Sequence, residues 1–453
     1  MSLHRLLRER AKANPVRVGV IGAGKFASMF LAQARQTPGL HVMAVCDLDI
    51  VRARASFERT GWTGEQIGAR SFEAAIRQGS THLTEDAAAL IAADGMEVVV
   101  DCTGDPTAGI RHALTCFDAH RHIVMVNVEA DVLAGPLLAR RARDAGVVYS
   151  LAYGDQPALI VELVDWARAT GFDVVCAGKG TKYLPEYHAS TPETVWQYYG
   201  LTPEQAARGG MNPKMFNSFL DGTKSAIEMA AVANATGLAP APEGLAFPPS
   251  SVDALPQLLK PRSEGGVLHH KGTVEVVSSQ NRDGSDVERD LRWGVYVTFE
   301  APSDYTAHCL GEYGVRTDES GRYAALYRPY HLIGLELGIS IASAALRGEA
   351  TGTSQQFLGD VVAITKQNLR PGELLDGEGG YTVWGRLMPA ADSLALGGLP
   401  IGLAHGVKLK NAVDAGQPIR WCDVEVDETS QAVTIRREME TLLRPAAEAR
   451  ATG

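Results

Sequence analysis

Short apolar runs recur through the first third of the chain, separated by stretches with helical spacing. Val16–Ile21, His41–Cys46, Val98–Cys102, Ile123–Val126 and Val147–Leu151 read as strands. Ser28–Gln36, Asp86–Ala93, Ala108–Ala119 and Ala134–Ala145 have helix length and composition. Parallel strands need long crossovers, so this alternation predicts an α/β, doubly wound domain with a parallel sheet covered on both faces.

After Gly154-Asp155-Gln156-Pro157 the pattern changes. A helix is expected at Ala158–Ala169, a strand at Phe172–Cys176, a polar loop, and then one long apolar helix from Pro213 to about Ala235. The Pro- and Gly-rich stretch Ala239–Gly266 reads as an extended connection or lid rather than packed structure. Strands return at Gly272–Val277 and Trp293–Phe299, and a long helix at Leu332–Ala345. This part reads as an α+β catalytic and dimerisation domain. From Asp360 onward, Val361–Ile364, the Pro371-Gly372-Glu373 turn, Gly377-Glu378-Gly379-Gly380 and Val424-Glu425-Val426 predict a small β-rich module. The expected domain limits are 1–155, 156–355 and 356–453.

Composition narrows the classes. A chain of 453 residues that is 45% hydrophobic and 21% charged can bury more than one core. A net charge of −10 argues against non-specific adhesion to nucleic acid or anionic membrane, while leaving room for a local basic pocket. The six cysteines form no C-x-x-C pair and several sit in apolar runs, which suggests reduced thiols. The segment Met1–Asn14 is too short and too charged for a secretory core, and no apolar run spans a bilayer, so the cytoplasm is the expected location.

The first βα junction carries the most specific chemistry. Val16–Ile21 runs into Gly22-Ala23-Gly24-Lys25-Phe26-Ala27, a G-x-G-x-x-A pattern between a strand and a helix start. There Gly22 permits a tight turn, Gly24 lets backbone approach a pyrophosphate, and Ala27 lets helix and strand pack closely. Phosphates at such a place meet unpaired N–H groups and the positive end of the helix dipole. Asp47 closes the second strand, where a carboxylate can hydrogen-bond an adenosine ribose, while Arg52 and Arg54 lie close enough in sequence to offset its charge. Thr103 and Gly104, after the strand Val98–Cys102, suit the nicotinamide side or form a plain polar turn. These residues predict a Rossmann domain that binds NADPH or NADH; the alternative is another adenine nucleotide or none.

Hydride transfer to or from a carbonyl carbon needs a group that gives or takes a proton at the oxygen. On the expected helix, Asn217, Asp221, Lys224 and Glu228 follow spacings that form one narrow polar stripe among apolar residues. A substrate-facing Lys224 flanked by carboxylates is one reading, an exposed salt-bridge stripe the other. The loop Ala177-Gly178-Lys179-Gly180-Thr181-Lys182 offers two ammonium groups beside glycines, suited to a substrate phosphate or carboxylate, or simply solvated. Arg328 and His331 precede a long helix and could reach an anionic substrate or anchor an interface. His188 and the pair His269-His270 lack metal-site spacing; Asp155, Glu186 and Asp221 could hold a divalent ion, but nothing in their spacing demands one.

Four segments together resemble a known family: Gly22-Ala23-Gly24-Lys25-Phe26, Asn127-Val128-Glu129-Ala130-Asp131, Ala177-Gly178-Lys179-Gly180-Thr181-Lys182 and Asp221-Gly222-Thr223-Lys224-Ser225. The chain is similar to the homoserine-dehydrogenase-like oxidoreductases that include the DXR-like reductoisomerases. The tail around Lys366-Gln367-Asn368-Leu369-Arg370-Pro371-Gly372-Glu373 resembles a SAF module. The resemblance implies a homodimer or higher homo-oligomer with NADPH or NADH on the first domain, Asn127 among the coenzyme contacts, and a catalytic lysine in the middle domain. For the DXR-like branch it implies reductive isomerisation of 1-deoxy-D-xylulose 5-phosphate to 2-C-methyl-D-erythritol 4-phosphate in isoprenoid precursor synthesis. Lys179 and Lys182 would then meet the phosphate, and Lys224 the reacting oxygen. Oxidation of homoserine or another small hydroxy acid or polyol stays open, as does a non-catalytic dinucleotide sensor.

Overall fold

The computed structural model describes residues 2–208 and 211–443. Six strands form a parallel sheet: β1 (Val16–Ile21), β2 (Leu40–Cys46), β3 (His82–Thr84), β4 (Val98–Asp101), β5 (His122–Met125) and β6 (Tyr149–Leu151). Their order is β3-β2-β1-β4-β5-β6, so the chain reverses its direction of travel across the sheet between β1 and β4. In such sheets the crevice beyond the carboxyl ends of the strands at the reversal is where ligands bind. Val18, Val20, Val98, Val100 and Val124 are fully buried, as expected of strands covered on both faces.

The chain divides into two compact units, Met1–Leu159 with His331–Gln355, and Ile160–Tyr330 with Gln356–Gly453. The first unit is therefore discontinuous. Leu337 and Ile341 enter the same core as β1 and β2, the Leu151 N–H donates to Gly352 O, and the Tyr153 N–H donates to Ser340 Oγ. The expected helix Leu332–Ala345 starts later, at Gly338, and ends at Arg347.

In the second unit β7 (Asp173–Thr181), β8 (Thr273–Ser278), β9 (Val295–Glu300) and β10 (Tyr323–Arg328) form a mixed sheet in the order β10-β9-β7-β8. Past Gln356 come β11 (Gly359–Thr365), β12 (Leu374–Asp376), β13 (Val383–Pro389), β14 (His405–Leu409) and β15 (Val424–Glu425), in one two-stranded and one three-stranded sheet. The tail is thus strand-rich, but it also ends its described part in a helix, Gln431–Leu442, that the turn-rich pattern hides. Arg436 on that helix is fully buried and bonds Asp360 on β11 through both terminal guanidinium nitrogens.

Three expectations for this unit are corrected. The glycine–lysine segment 177–181 is the end of β7 and not a loop, because β8 and β9 pair with it through Thr181 and Lys179 respectively. The long apolar helix is two helices, Pro213–Leu220 and Thr223–Thr236, broken at Gly222, whose φ of 89° is the left-handed conformation a glycine adopts without a Cβ penalty. Ala239–Gly266 is packed: Leu255 and Leu259 are fully buried in one core with Val175, Cys176 and Tyr296. Proline and glycine mark turns there, but the leucines between them supply a core face.

Candidate active site

In the first unit β1 delivers the chain to Gly22, which has φ of 97° and packs so tightly on the Cys102 carbonyl that a Cβ would collide with it. Gly24 then caps the helix Lys25–Ala34 with no side-chain hydrogen bond, and nothing lies within 4 Å of where its Cβ would stand. The next five α-helices differ: Asp49, Ser71, Asp86, Asp105 and Asn127 each cap a helix by accepting first-turn N–H groups. At Lys25–Ala34 the first-turn amides are left to an outside acceptor, beside open space. Lys25 is exposed, Phe26 is half-buried against the core, and Ala27 is fully buried at the helix–strand contact.

Asp47 stands at the end of β2, but its carboxylate is turned into the loop. Oδ2 accepts the Ala23 N–H at 2.6 Å, and Oδ1 accepts the Asp49 N–H at 2.9 Å and Arg52 at 2.5 Å. It is only 3% exposed, so it fixes the glycine loop and is neutralised by the half-exposed Arg52; Arg54 is exposed nearby on the same helix. Beyond β4, Asn127 Nδ2 donates to Thr103 Oγ1 and to Asp105 O, and Thr103 donates to the buried Asp101 from its N–H and its hydroxyl. Asp101 also pairs with His112 at 2.5 Å. Gly104, with φ of 69°, faces open space. Thr103, Gly104 and Asn127 are thereby joined in one rigid polar corner.

Behind that corner Asp131 is wholly buried and accepts hydrogen bonds from Tyr149 and Ser354. Burial pushes its carboxyl up to about 6. The sequence placed Asp131 only as part of a family motif, and its partners are too distant in the chain to be read from spacing.

In the second unit the expected polar stripe is dispersed by the break at Gly222. Asn217 exchanges hydrogen bonds with Ser190 and donates to Gly379 O. Asp221 accepts the Thr223 N–H and pairs with Lys366 at 2.7 Å; Lys366 also donates to Ser190 O and Gly380 O, so all three of its protons are used. Glu228 pairs with Lys179 in a buried contact between the helix Thr223–Thr236 and β7. Lys224, in the first turn of that helix, is half-buried and the least enclosed of the four stripe residues.

The structure also assembles groups that the sequence did not combine. His188 stacks on Trp384 with ring centroids 3.9 Å apart, with Nδ1 at Asp221 O and Nε2 at the Tyr183 hydroxyl. Burial holds its imidazole below the ordinary range. Tyr183 stacks in turn on Phe247. Lys366 and Trp384 lie far along the chain from Asp221 and His188, so no local pattern could have joined them. Lys182 projects past the end of β7, its ammonium donating to Tyr198 O and standing 5.8 Å from the Tyr199 ring centre. Arg328, at the end of β10, lies over Tyr330 in this unit, whereas His331 belongs to the first unit. Among the described residues no three His, Cys, Asp or Glu side chains are grouped as metal ligands. None of their helices is long and apolar enough to cross a membrane.

Residues 154–337 match the family model described as oxidoreductase DRL, catalytic domain. The match begins just after β6 and ends inside the returning stretch His331–Gln355. No curated protein matches the chain at a significant level. Among solved structures, a probable dehydrogenase from Thermotoga maritima is similar at 13% identity and a TM-score of 0.31, over 70% of this chain and 69% of that one. Myo-inositol dehydrogenase from Lactobacillus casei, solved with NAD(H) and myo-inositol, aligns at 16% identity and a TM-score of 0.28, over 40% of this chain and 50% of that one. An oxidoreductase from Agrobacterium radiobacter, solved with NAD+, L-tartaric acid and magnesium, aligns at 14% identity and a TM-score of 0.27, over 37% and 45%. The chain thus spans half or less of the last two, and likeness at this level says nothing of this chain's substrate.

Proposed function

We propose that the chain is an NAD(P)H-dependent oxidoreductase acting on a small phosphorylated ketose or polyol. The specific reaction we put forward is reductive isomerisation of 1-deoxy-D-xylulose 5-phosphate to 2-C-methyl-D-erythritol 4-phosphate. One observation carries the coenzyme reading: the helix Lys25–Ala34 begins at an open, uncapped Gly24 at the carboxyl end of β1, beside the sheet's reversal point. The match of residues 154–337 to an oxidoreductase catalytic domain supports the chemistry.

The residues present fit a nicotinamide dinucleotide. Its diphosphate would meet the N–H groups after Gly24 and the Lys25 ammonium, and Arg52, paired with Asp47, tolerates either a ribose hydroxyl or a 2′-phosphate. Thr103, Gly104 and Asn127 line the part of the crevice at β4 and β5. The coenzyme, once bound, supplies the hydride that reduces a carbonyl carbon. The protein must then deliver a proton to the oxygen, and Lys224, half-buried in the first turn of the helix Thr223–Thr236, is the candidate. The SAF assignment of the tail and assembly as a homo-oligomer are part of this proposal.

The test is Lys224→Ala, with coenzyme binding followed by reduced-nicotinamide fluorescence and turnover by absorbance. Binding kept and turnover with the sugar phosphate reduced by roughly a hundredfold or more supports the reading. Turnover of homoserine and none of the sugar phosphate overturns the substrate. Coenzyme binding with no turnover of either by the unaltered protein makes the chain a dinucleotide sensor.

A further inference from the structure

Several cations in the second unit are held by carboxylates, and others, such as Arg168, Lys214, Arg262 and Arg282, by main-chain carbonyls. Lys179 has Glu228, Lys260 has Asp318, Lys271 has Glu264 and Glu300, Lys366 has Asp221, and Arg436 has Asp360 and Glu440. At the end of β7 two cations instead approach one aromatic ring. The turn Leu291–Gly294, closed by the Gly294 N–H on Leu291 O, folds directly over the end of β7, and a Cβ on Gly180 would overlap Leu291 O. The missing side chain at Gly180 is what lets this turn lie so close.

The consequence is that Arg292 comes over the same aromatic ring as Lys182. The Arg292 guanidinium is 5.9 Å from the Tyr199 ring centre and the Lys182 ammonium 5.8 Å from it. Arg292 also stands 4.8 Å over Trp293, a side chain that is 60% exposed. Neither cation has a carboxylate at ion-pair distance among the described residues; Asp286 acts on Lys182 only from farther away, and the Asp290 carboxylate accepts the Arg292 backbone N–H. Burial, and after it the charge of Arg292, lowers the Lys182 pKa. Two like charges sharing a ring repel, and an anion between them removes the repulsion. A guanidinium fork and a mobile ammonium together match a doubly charged, three-oxygen group better than a single carboxylate.

The geometry points to Lys182 and Arg292, over Tyr199, as a binding site for the dianionic phosphoryl group of the substrate. This deepens the proposed function, and rests on it for calling the ligand a substrate. It also replaces the expectation that Lys179 and Lys182 act together on the phosphate: Lys179 is spent on Glu228, and Arg292 takes its place.

Calorimetric titration with inorganic phosphate tests the site directly on the full chain. Lys182→Met and Arg292→Ala should each weaken phosphate binding about tenfold, the double variant should abolish it, and Arg292→Lys should restore part of it. Lys271→Ala, whose ammonium already has two carboxylates, should bind phosphate as the unaltered protein does. With the phosphorylated substrate, Arg292→Ala should raise KM about tenfold while kcat changes little. Phosphate affinity unaltered in Arg292→Ala, no phosphate binding to the unaltered protein, or acetate binding as tightly as phosphate would each overturn the assignment. Coenzyme fluorescence, read in parallel, separates this failure from that of the oxidoreductase reading: loss of the site leaves dinucleotide binding intact, and absence of dinucleotide binding sinks the latter alone.

Discussion

Two glycine–lysine segments, Gly22-Ala23-Gly24-Lys25 and Gly178-Lys179-Gly180, look alike in sequence and have opposite roles. At Gly24 the absent side chain leaves open space in front of unpartnered amides. At Gly178 and Gly180 the absent side chains are filled by protein: Glu275 O presses on the first and Leu291 O on the second. The lysines differ in the same way, Lys25 being exposed and Lys179 buried against Glu228. Glycine therefore marks close approach of backbone to something, and only the third dimension says whether that something is a ligand or another strand.

The largest effect is expected at Lys179, buried against Glu228. Lys179→Met should leave the Glu228 carboxylate buried and unpaired and cost about 3–5 kcal/mol in denaturant unfolding, against under ~1 kcal/mol for Lys25→Met. Similar losses for both would remove the distinction.

A pH measurement sharpens it on the strand that presses on Gly178. Burial pushes the Glu275 carboxyl up to about 7, although the Val276, Ala246 and Phe247 N–H groups pull it down. A carboxyl raised on folding stabilises the fold fully below its ordinary value of 4.5, and that contribution is lost as pH rises through about 7. The unfolding free energy should fall by up to ~3 kcal/mol across that window, and Glu275→Gln should flatten the slope. An equally steep slope in the variant would exclude Glu275 as its source.

Substitutions at the glycines come next in size. Gly178→Ala should destabilise by about 1–3 kcal/mol, because the added methyl meets main chain that cannot rotate away. Gly24→Ala, at φ of −73°, should change stability by less than ~0.5 kcal/mol while weakening coenzyme binding roughly tenfold, read by reduced-nicotinamide fluorescence. Equal melting behaviour of the two variants would end the contrast.

What was legible in the chain follows the range of the forces involved. The parallel sheet was, because buried strands are continuous apolar runs and β1 matches its expected limits, Val16–Ile21. The Gly22–Ala27 junction was, because strand, turn and helix start are contiguous. The long helix was misread because its hydrophobic content continues across Gly222; the left-handed turn there reflects packing of His188 and Phe247 against the glycine, which no local pattern contains. The 239–266 segment was misread because turn residues outnumber the leucines that anchor it. Lys366 escaped notice because its partner Asp221 is 145 positions away. Arg292 did so because it reaches the Tyr199 ring only where a turn closes over Gly180.

The stretch His331–Gln355 has a bearing on biosynthesis. Leu337 and Ile341 are part of the core around β1 and β2, yet they leave the ribosome after the entire mixed sheet has been made. The nascent amino-terminal segment must wait for them with its hydrophobic interior open, a high-contact-order arrangement that slows closure and exposes the chain to aggregation. A shortened gene product ending near Leu159 would carry every glycine of the loop after β1 and still lack the helix that finishes the interior behind it.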